Sequence, residues 1–130
     1  MAKVKATSLV LKRVYEPAEA GGGTRILVDR LWPRGIAKDK ARIDLWLKDI
    51  APSDALRRRF HGHPEDWDAF CAAYFVELEK PAAQAAAKDL LDRLSQGPVT
   101  LLYASRDEER NNAVALKAWL ERQRKRGKAS

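Results

Sequence analysis

Short apolar runs along the chain predict the strands of a sheet. Residues 7–13 place Leu9 and Leu11 on one side of an extended segment, which is the period of a β-strand. Residues 25–29, R-I-L-V-D, and residues 99–104, V-T-L-L-Y-A, are apolar almost throughout. Such runs are typical of parallel strands that are covered on both faces, so we expect residues 99–104 at the centre of the sheet.

Residues 42–48 fit two kinds of secondary structure. Ile43, Leu45 and Leu47 alternate as they would in a strand, whereas Trp46 fills the opposite side and the spacing also allows a helix. We predict a strand here, which gives the sheet a fourth member; without it the sheet would have three.

Apolar positions three and four residues apart predict helices in the middle of the chain. Ser53 is a good N-cap for a short helix that runs through Phe60, because its hydroxyl can accept from an unpaired first-turn amide. A second helix begins at Pro64. We interpret Cys71 within it as a buried, inert thiol, since reactive cysteines need an electropositive and partly exposed setting. Its apolar stripe consists of Trp67, Phe70, Cys71, Tyr74, Phe75 and Leu78.

Two further helices are predicted in the second half of the chain. One begins at Pro81 and ends before Gly97, with an inner face of Ala82, Ala85, Ala86, Leu90, Leu91 and Leu94. Residues 105–108, S-R-D-E, match a capping box, in which Ser105 accepts from a first-turn amide and Glu108 reaches back. The last helix is therefore predicted to begin here, with a packing face of Ala113, Leu116, Trp119 and Leu120.

Strands interleaved with helices predict an α/β fold. The expected form is a small three-layer sandwich in which helices flank a short, mainly parallel sheet of three or four strands. Residues 1–121 form a single α/β domain and residues 122–130 a basic C-terminal tail. No apolar run approaches the roughly 20 residues of a membrane span, and residues 1–20 lack the apolar centre of a signal peptide. We expect a cytoplasmic protein with no membrane partner, and leave its oligomeric state open.

The sulfur and imidazole content excludes several kinds of site. Cys71 is the only cysteine in the sequence, which rules out an internal disulfide and a cysteine-based zinc site. The two histidines, His61 and His63, flank a glycine just before Pro64, and we interpret them as part of a loop that leads into a helix. No metal site is predicted, and the sequence indicates no particular cofactor.

The net charge of +7 is concentrated at the C-terminus. Residues 122–130 contain five basic and no acidic side chains, so residues 1–121 contain 20 basic against 18 acidic groups. Such a run is typical of a solvated helix end, where cations suit the negative end of the helix dipole. It can also contact the phosphates of a nucleic acid, together with arginines among residues 57–59. The candidate nucleic-acid-binding residues are Arg122, Arg124, Lys125, Arg126 and Lys128.

Two polar loops follow the apolar strands and form a candidate ligand site. The carboxyl ends of parallel strands meet at one edge of a sheet, where helix N-termini also present free amides. If the two strands are neighbours, three arginines can converge on a phosphate, sulfate or carboxylate. The predicted ligand is a phosphate-bearing small molecule or a nucleotide. The predicted ligand-binding residues are Arg30, Trp32, Arg34, Ser105, Arg106, Asn111 and Asn112.

Most of these residues also have a structural interpretation. Arg30 can pair with a nearby aspartate to order the loops, Trp32 can pack in the core, and Ser105 can act only as a cap. The pair Asn111 and Asn112 is harder to explain in this way, because two consecutive asparagines are costly inside a helix. At least one of them is expected to bind the Arg30 loop or a ligand.

Few residues suit catalysis. The sequence contains no Gly-x-Ser-x-Gly or His-Glu-x-x-His motif, and no cysteine lies in either loop. Asp29 and Asp107 are the candidate catalytic residues, as a carboxylate pair for acid–base or magnesium chemistry, provided that the fold brings them together. Whether the protein is an enzyme stays open at this point.

Four stretches of the chain closely resemble the YeaO-like family of bacterial proteins, a branch of a larger group of domains of unknown function. They are L-K-R-V-Y at 11–15, V-D-R-L-W-P-R-G at 28–35, D-L-W-L-K-D-I-A-P-S at 44–53, and V-T-L-L-Y-A-S-R-D-E-E-R-N-N-A at 99–113. The resemblance implies no established activity. By analogy it supports treating Asp29, Arg30, Pro33 and Arg34 as one site.

The wider group implies a contrast in chemistry. Its members typically have a Cys-His-Arg triplet shortly after the last strand, where this chain has Asn111, Asn112 and Ala113. The thiol or imidazole chemistry of such relatives is then absent here. The resemblance therefore favours binding, or catalysis by carboxylates and arginines, over nucleophilic catalysis.

Overall fold

A computed structural model of the chain describes residues 8–18, 21–37 and 42–129. Its strands are β1 (Leu9–Arg13), β2 (Thr24–Leu27), β3 (Leu45–Trp46) and β4 (Val99–Tyr103). Its α-helices are α1 (Asp54–Phe60), α2 (Trp67–Glu77), α3 (Pro81–Gln96) and α4 (Asn112–Ala129). Short 3-10 turns at Lys48–Ile50 and Pro64–Asp66 precede α1 and α2.

All four strands run parallel in the order β1-β4-β2-β3. Leu101 of β4 lies opposite Leu11 on one side and Ile26 on the other, and Ile26 lies opposite Leu45. Every residue of β4 is buried. The α/β class, the parallel sheet of four strands and the central position of β4 are therefore confirmed.

Helices cover one face of the sheet, and mainly loop side chains cover the other. Ile26 and Leu101 point into a core that is shared with all four helices. Leu27 and Leu102, one residue further along, point to the opposite face. That face is covered mainly by loop side chains, so the third layer consists of the residues Trp32, Ile36, Ile43 and Trp46.

The predicted beginnings of the middle helices agree with the structure. The Ser53 hydroxyl accepts a hydrogen bond from the Leu56 amide (3.1 Å) and donates one to Glu77 on α2 (2.6 Å). Pro64 opens a single 3-10 turn before α2, and α3 begins at Pro81 as expected. Cys71 is half-buried on α2, and burial raises the pKa of its thiol, which agrees with an inert cysteine.

The strand predicted over residues 42–48 is much shorter in the structure. β3 pairs only through Leu45 and Trp46, opposite the last two residues of β2. The chain then turns, because the amide of Ile50 donates to the carbonyl of Leu47 (3.2 Å) and opens the 3-10 turn. A lone edge strand cannot extend past the end of its only partner, which explains why β3 ends at Trp46. Before β3, Arg42 has a positive φ of 53°, which is not an extended conformation.

The capping box predicted at Ser105 is wrong. α4 begins at Asn112, and its N-cap is Asn111, whose Oδ1 accepts from the amide of Val114 (2.9 Å). Ser105 instead accepts from the amide of Asp107 (3.1 Å), and Asp107 accepts from the amides of Glu109 and Arg110 (both 2.9 Å). The side chains of Ser105 and Asp107 bind these backbone amides in place of helical carbonyl groups, so residues 105–111 form a loop and not a helix.

The basic segment at the C-terminus continues α4 as far as Ala129. Arg122 lies over the ring of Phe75, 5.3 Å from its centroid, and Arg124 pairs with Glu121 at 3.2 Å. Among the helices that the structure describes, none combines the length and apolar composition needed to cross a membrane.

A candidate anion site at the carboxyl ends of the strands

The loops that follow β2 and β4 line a single cleft of about 690 Å³. This volume lies within the range of small-molecule sites in proteins, roughly 300 to 1,000 Å³. A third side of the cleft comes from α1, α2 and the segment between them. All of the residues predicted to bind a ligand line the cleft, as do both predicted carboxylates: Asp29, Arg30, Trp32, Arg34, Ser105, Arg106, Asp107, Asn111 and Asn112.

Asp29 connects the two loops at the bottom of the cleft. One carboxylate oxygen accepts from the amide of Ala104, just beyond β4 (2.9 Å), and the other from the side chain of Asn112 (3.1 Å). The Asn112 amide also donates to the carbonyl of Val28 (3.0 Å). β2, β4 and the first residue of α4 are thereby joined. The expectation that one asparagine binds the Arg30 loop holds for Asn112.

Opposing influences act on the acidity of Asp29. Burial raises the pKa of its carboxyl above the ordinary value, because a charged group loses solvation there. The hydrogen bonds from Ala104 and Asn112, and the charge of Arg57, lower the pKa by smaller amounts. Asp29 is thus held by two neutral donors and makes no direct ion pair with another described residue.

Arg30 is also engaged in the structure. Its guanidinium donates to the carbonyls of Pro52 (3.1 Å) and Ala51 (3.2 Å), ahead of α1. Arg30 therefore has the structural role that was considered for it, but its partners are backbone carbonyls and not an aspartate. We call Asp29, Arg30 and Asn112 the base of the cleft.

Trp32 belongs mainly to the loop layer over the sheet. Its indole N–H donates to the carbonyl of Ile36 (2.7 Å), and its ring meets that of Trp46 edge-on, with centroids 5.4 Å apart. The Trp46 indole in turn donates to the Asp29 carbonyl (2.7 Å). Packing fixes Trp32 in place, and it contributes to the cleft from this anchored position.

Arg34 and Arg106 differ from the residues at the base. Both are exposed, and neither guanidinium forms a hydrogen bond or ion pair with any described residue. The Arg34 loop is nonetheless held, because the Tyr15 hydroxyl donates to the Arg34 carbonyl (3.1 Å). We call these two arginines the rim of the cleft.

Three aromatic residues that sequence reasoning assigned to the core or did not single out also line the cleft. The rings of Trp67 and Phe70 are stacked, with centroids 5.7 Å apart and an interplanar angle of 19°. Phe60 meets Phe70 edge-on at 5.9 Å. We call Phe60, Trp67 and Phe70 the aromatic wall. Helical spacing shows that Trp67 and Phe70 share a stripe, but it does not show that the stripe ends at a cleft.

Arg57 and Arg110 add positive charge to the cleft. Arg57 on α1 pairs with Asp54 (3.0 Å), and Arg110 donates to the carbonyl of Pro64 (2.9 Å). Among the described lining residues, five arginines face two aspartates, Asp29 and Asp107. The two backbone amides that bind Asp107 lower the pKa of its carboxyl, which keeps it ionised. The charged lining is therefore net positive and suits an anion.

Within the described residues, one group could hold a metal ion. Donor atoms of His63, Glu65 and Asp66 lie within 4.8 Å of one another, and all three side chains are exposed. His63 and Glu65 already contact each other at 3.2 Å. His63 lines the cleft, so this group borders the candidate site.

The chain is similar to proteins that have no described activity. Residues 8–130 match the family described as the inactive DUF488-N3 subclade. The chain is 46% identical to the uncharacterized protein YeaO of Escherichia coli over 109 residues, which cover 84% of this chain and 93% of YeaO. It is 42% identical to the uncharacterized proteins Rv3073c of Mycobacterium tuberculosis and Mb3100c of Mycobacterium bovis, over 87% of this chain and 93% of each relative. No solved structure matches the chain significantly.

Proposed function

The chain belongs to the inactive DUF488-N3 subclade, as its resemblance to the YeaO-like family predicted, and from this premise we propose that its cleft is a binding site for a phosphate-bearing small molecule or a nucleotide. The protein then acts by binding its ligand and not by converting it. The inactive description of the family supports this choice, as does the presence of Asn111 and Asn112 at the start of α4.

One observation carries the proposal. Arg34 and Arg106 come from different loops and line the same cleft, and neither guanidinium has a partner among the described residues. A guanidinium offers several N–H donors in a planar fork and stays charged at all relevant pH values. Two such groups can hold one phosphate through charge-assisted hydrogen bonds.

The hydrogen bonding of the two carboxylates favours binding over acid–base catalysis. Both oxygens of Asp29 accept bonds that join β2, β4 and α4. Asp107 accepts from two backbone amides that shape its own loop. A general base must reach a substrate proton. Both carboxylates instead have structural partners, which leaves anion binding as the better supported role of the cleft.

Calorimetric titration of the full chain with inorganic phosphate and with sulfate tests the proposal. Arg34→Ala and Arg106→Ala should each weaken binding by roughly 10- to 150-fold, because hydrogen bonds to charged groups contribute roughly 1.5 to 3 kcal/mol. Lys88→Ala is the matched control, since it also removes one exposed positive charge but lies on α3, outside the cleft. No binding by the unmodified protein, or an equal loss in Lys88→Ala, would refute the site.

The second candidate function is nucleic-acid binding through the basic end of α4. The specific observation in its favour is the helical continuation of a segment that contains Arg122, Arg124, Lys125, Arg126 and Lys128. Two of these cations have partners in the structure, Phe75 for Arg122 and Glu121 for Arg124. Truncation after Glu121 should abolish binding of a DNA duplex, and added salt should weaken it steeply. Duplex affinity that survives the truncation would remove this candidate.

A further inference from the structure

The cleft has two sides of different chemistry, and together they restrict the ligand. The rim offers positive charge that is unpaired among the described residues, whereas the aromatic wall offers three aromatic rings. We infer that the cleft takes a nucleoside 5′-phosphate, with the base against Trp67 and the phosphate at Arg34 and Arg106. This inference rests on the proposed anion site and specifies its ligand.

Trp67 is placed to stack on a planar ring. It is the first residue of α2, its side chain is half-exposed, and it lines the cleft. Phe70 stacks against the indole with centroids 5.7 Å apart and an interplanar angle of 19°, which helps to hold the orientation of the ring. A ligand base can extend this stack, because every nucleic-acid base presents a π-face.

The aromatic wall is rigid enough to act as a platform. Phe70 is only 9% exposed, and it contacts both Phe60 (5.9 Å) and the buried Tyr74 (5.8 Å). A ring held in this way loses little conformational freedom when a ligand binds, which favours affinity.

A hydrogen bond links the segment before α2 to the loop that contains Arg106. Arg110 belongs to the loop that contains Arg106, and it donates to the carbonyl of Pro64 (2.9 Å), three residues before Trp67. The same loop is tied to β2 through Asn112 and Asp29. The segment that leads into α2 and the two loops that carry the rim are thus held together by hydrogen bonds, and the wall and the rim line the same cleft.

A purely structural role for Trp67 makes a different prediction. Trp67 also packs against the edge of the helical core, and a residue that serves only this purpose affects folding stability alone. A ring that binds a base affects the preference between ligands that have a base and ligands that do not. The comparison of AMP with ribose 5-phosphate tests this preference, since ribose 5-phosphate has a hydroxyl at the sugar carbon where AMP has its base.

Calorimetric titration of the full chain with AMP, ribose 5-phosphate and adenosine tests the inference. Stacking of a base on an aromatic side chain predicts that AMP binds roughly five- to 140-fold more tightly than ribose 5-phosphate. Adenosine should bind more weakly than AMP, because it lacks the group that the rim recognises. Equal affinity for AMP and ribose 5-phosphate would overturn the inference while leaving the anion site intact. No binding of any phosphate would refute the anion site itself.

Two variants locate the base. Trp67→Ala should reduce the affinity for AMP to that for ribose 5-phosphate, while the affinity for ribose 5-phosphate stays unchanged and shows that the variant is folded. Trp67→Phe should restore at least part of the preference for AMP, since it keeps an aromatic face. A preference for AMP that persists in Trp67→Ala would place the base elsewhere and overturn the assignment.

Discussion

The base and the rim of the cleft use similar polar side chains in opposite ways. At the base, Asp29, Arg30 and Asn112 direct their hydrogen bonds to backbone groups and to one another. At the rim, Arg34 and Arg106 are exposed, and neither guanidinium has a partner among the described residues. The difference separates groups that join the loops from groups that are free to bind something else.

The contrast is sharpest within a single motif. Arg30 and Arg34 lie four residues apart in the stretch D-R-L-W-P-R-G, and both are arginines in a polar loop after an apolar strand. Arg30 holds the carbonyls of Ala51 and Pro52, whereas the guanidinium of Arg34 has no such partner. Residue type therefore does not distinguish a structural arginine from a binding arginine; the partners do.

The largest effect is expected from Asp29→Ala. The change leaves the Ala104 amide without its acceptor and the Asn112 side chain with only the carbonyl of Val28, and an unsatisfied buried donor costs about 1 to 3 kcal/mol. Loss of a buried charge offsets part of this cost, so we expect the free energy of unfolding to fall by about 2 kcal/mol. Urea denaturation measures it. Stability equal to that of the unmodified protein would show that the base does not join the loops.

Arg30→Ala should have the next largest effect. It removes two hydrogen bonds to the segment before α1 and should lower the free energy of unfolding by about 1 to 2 kcal/mol. Arg30→Lys is the matched control. A lysine keeps the charge but cannot donate through the planar fork of arginine, so it should recover only part of the loss in the same urea experiment. Full recovery would mean that charge alone matters at this position.

The two carboxylates of the cleft should respond to pH with opposite signs. Burial raises the pKa of the Asp29 carboxyl in the folded protein, so protonation of this group favours folding. The resulting stability is fully present below pH 3.8, the pKa of the carboxyl in the unfolded chain, and it is lost as pH rises through the raised pKa. Backbone amides lower the pKa of Asp107, so its contribution is present above 3.8 and is lost as pH falls through the lowered pKa.

Comparison of Asp29→Asn and Asp107→Asn with the unmodified protein across mildly acidic pH measures these two contributions separately. As pH falls, the unmodified protein should gain stability relative to Asp29→Asn and lose it relative to Asp107→Asn. If the stability difference between the unmodified protein and each variant changed with pH in the same way for both variants, burial would not distinguish Asp29 from Asp107.

The sequence predicts the parts of this structure that depend on local pattern. β4 is recognisable because a strand that is covered on both faces is apolar at nearly every position. The N-cap role of Ser53 is predictable because it depends only on the first turn of the helix that follows. The sequence also predicts that the loops after β2 and β4 lie side by side, provided that these two strands are neighbours in a parallel sheet, as they are.

Other features depend on competition or on distant contacts. Ser105 with Glu108 and Asn111 with Val114 are both plausible helix starts, and the turns around Asp107 decide in favour of the second. β3 is short because its partner β2 ends at Leu27 and because Arg42, just before it, has a positive φ. The aromatic wall becomes visible only when α2 is placed beside the loops, because periodicity alone cannot distinguish a core stripe from the side of a cleft.

The smallest effect on stability is expected at the rim. Arg34→Ala and Arg106→Ala remove exposed side chains that have no partner in the part of the chain that the structure describes, so each should change the free energy of unfolding by no more than about 0.5 kcal/mol. The same variants should lose the stabilisation that a ligand provides. Phosphate at 100 times its dissociation constant should add about 2.7 kcal/mol to the unmodified protein and clearly less to either variant at that concentration.

Urea denaturation with and without phosphate therefore separates the two regions in one experiment. Arg30→Ala lowers stability in both conditions, because its bonds are made before a ligand arrives. Arg106→Ala should be as stable as the unmodified protein without phosphate and less stable only with phosphate. Lys88→Ala should gain as much stability from phosphate as the unmodified protein does. A loss of stability in Arg106→Ala without phosphate would mean that the rim also supports the fold, and the division between base and rim would not hold.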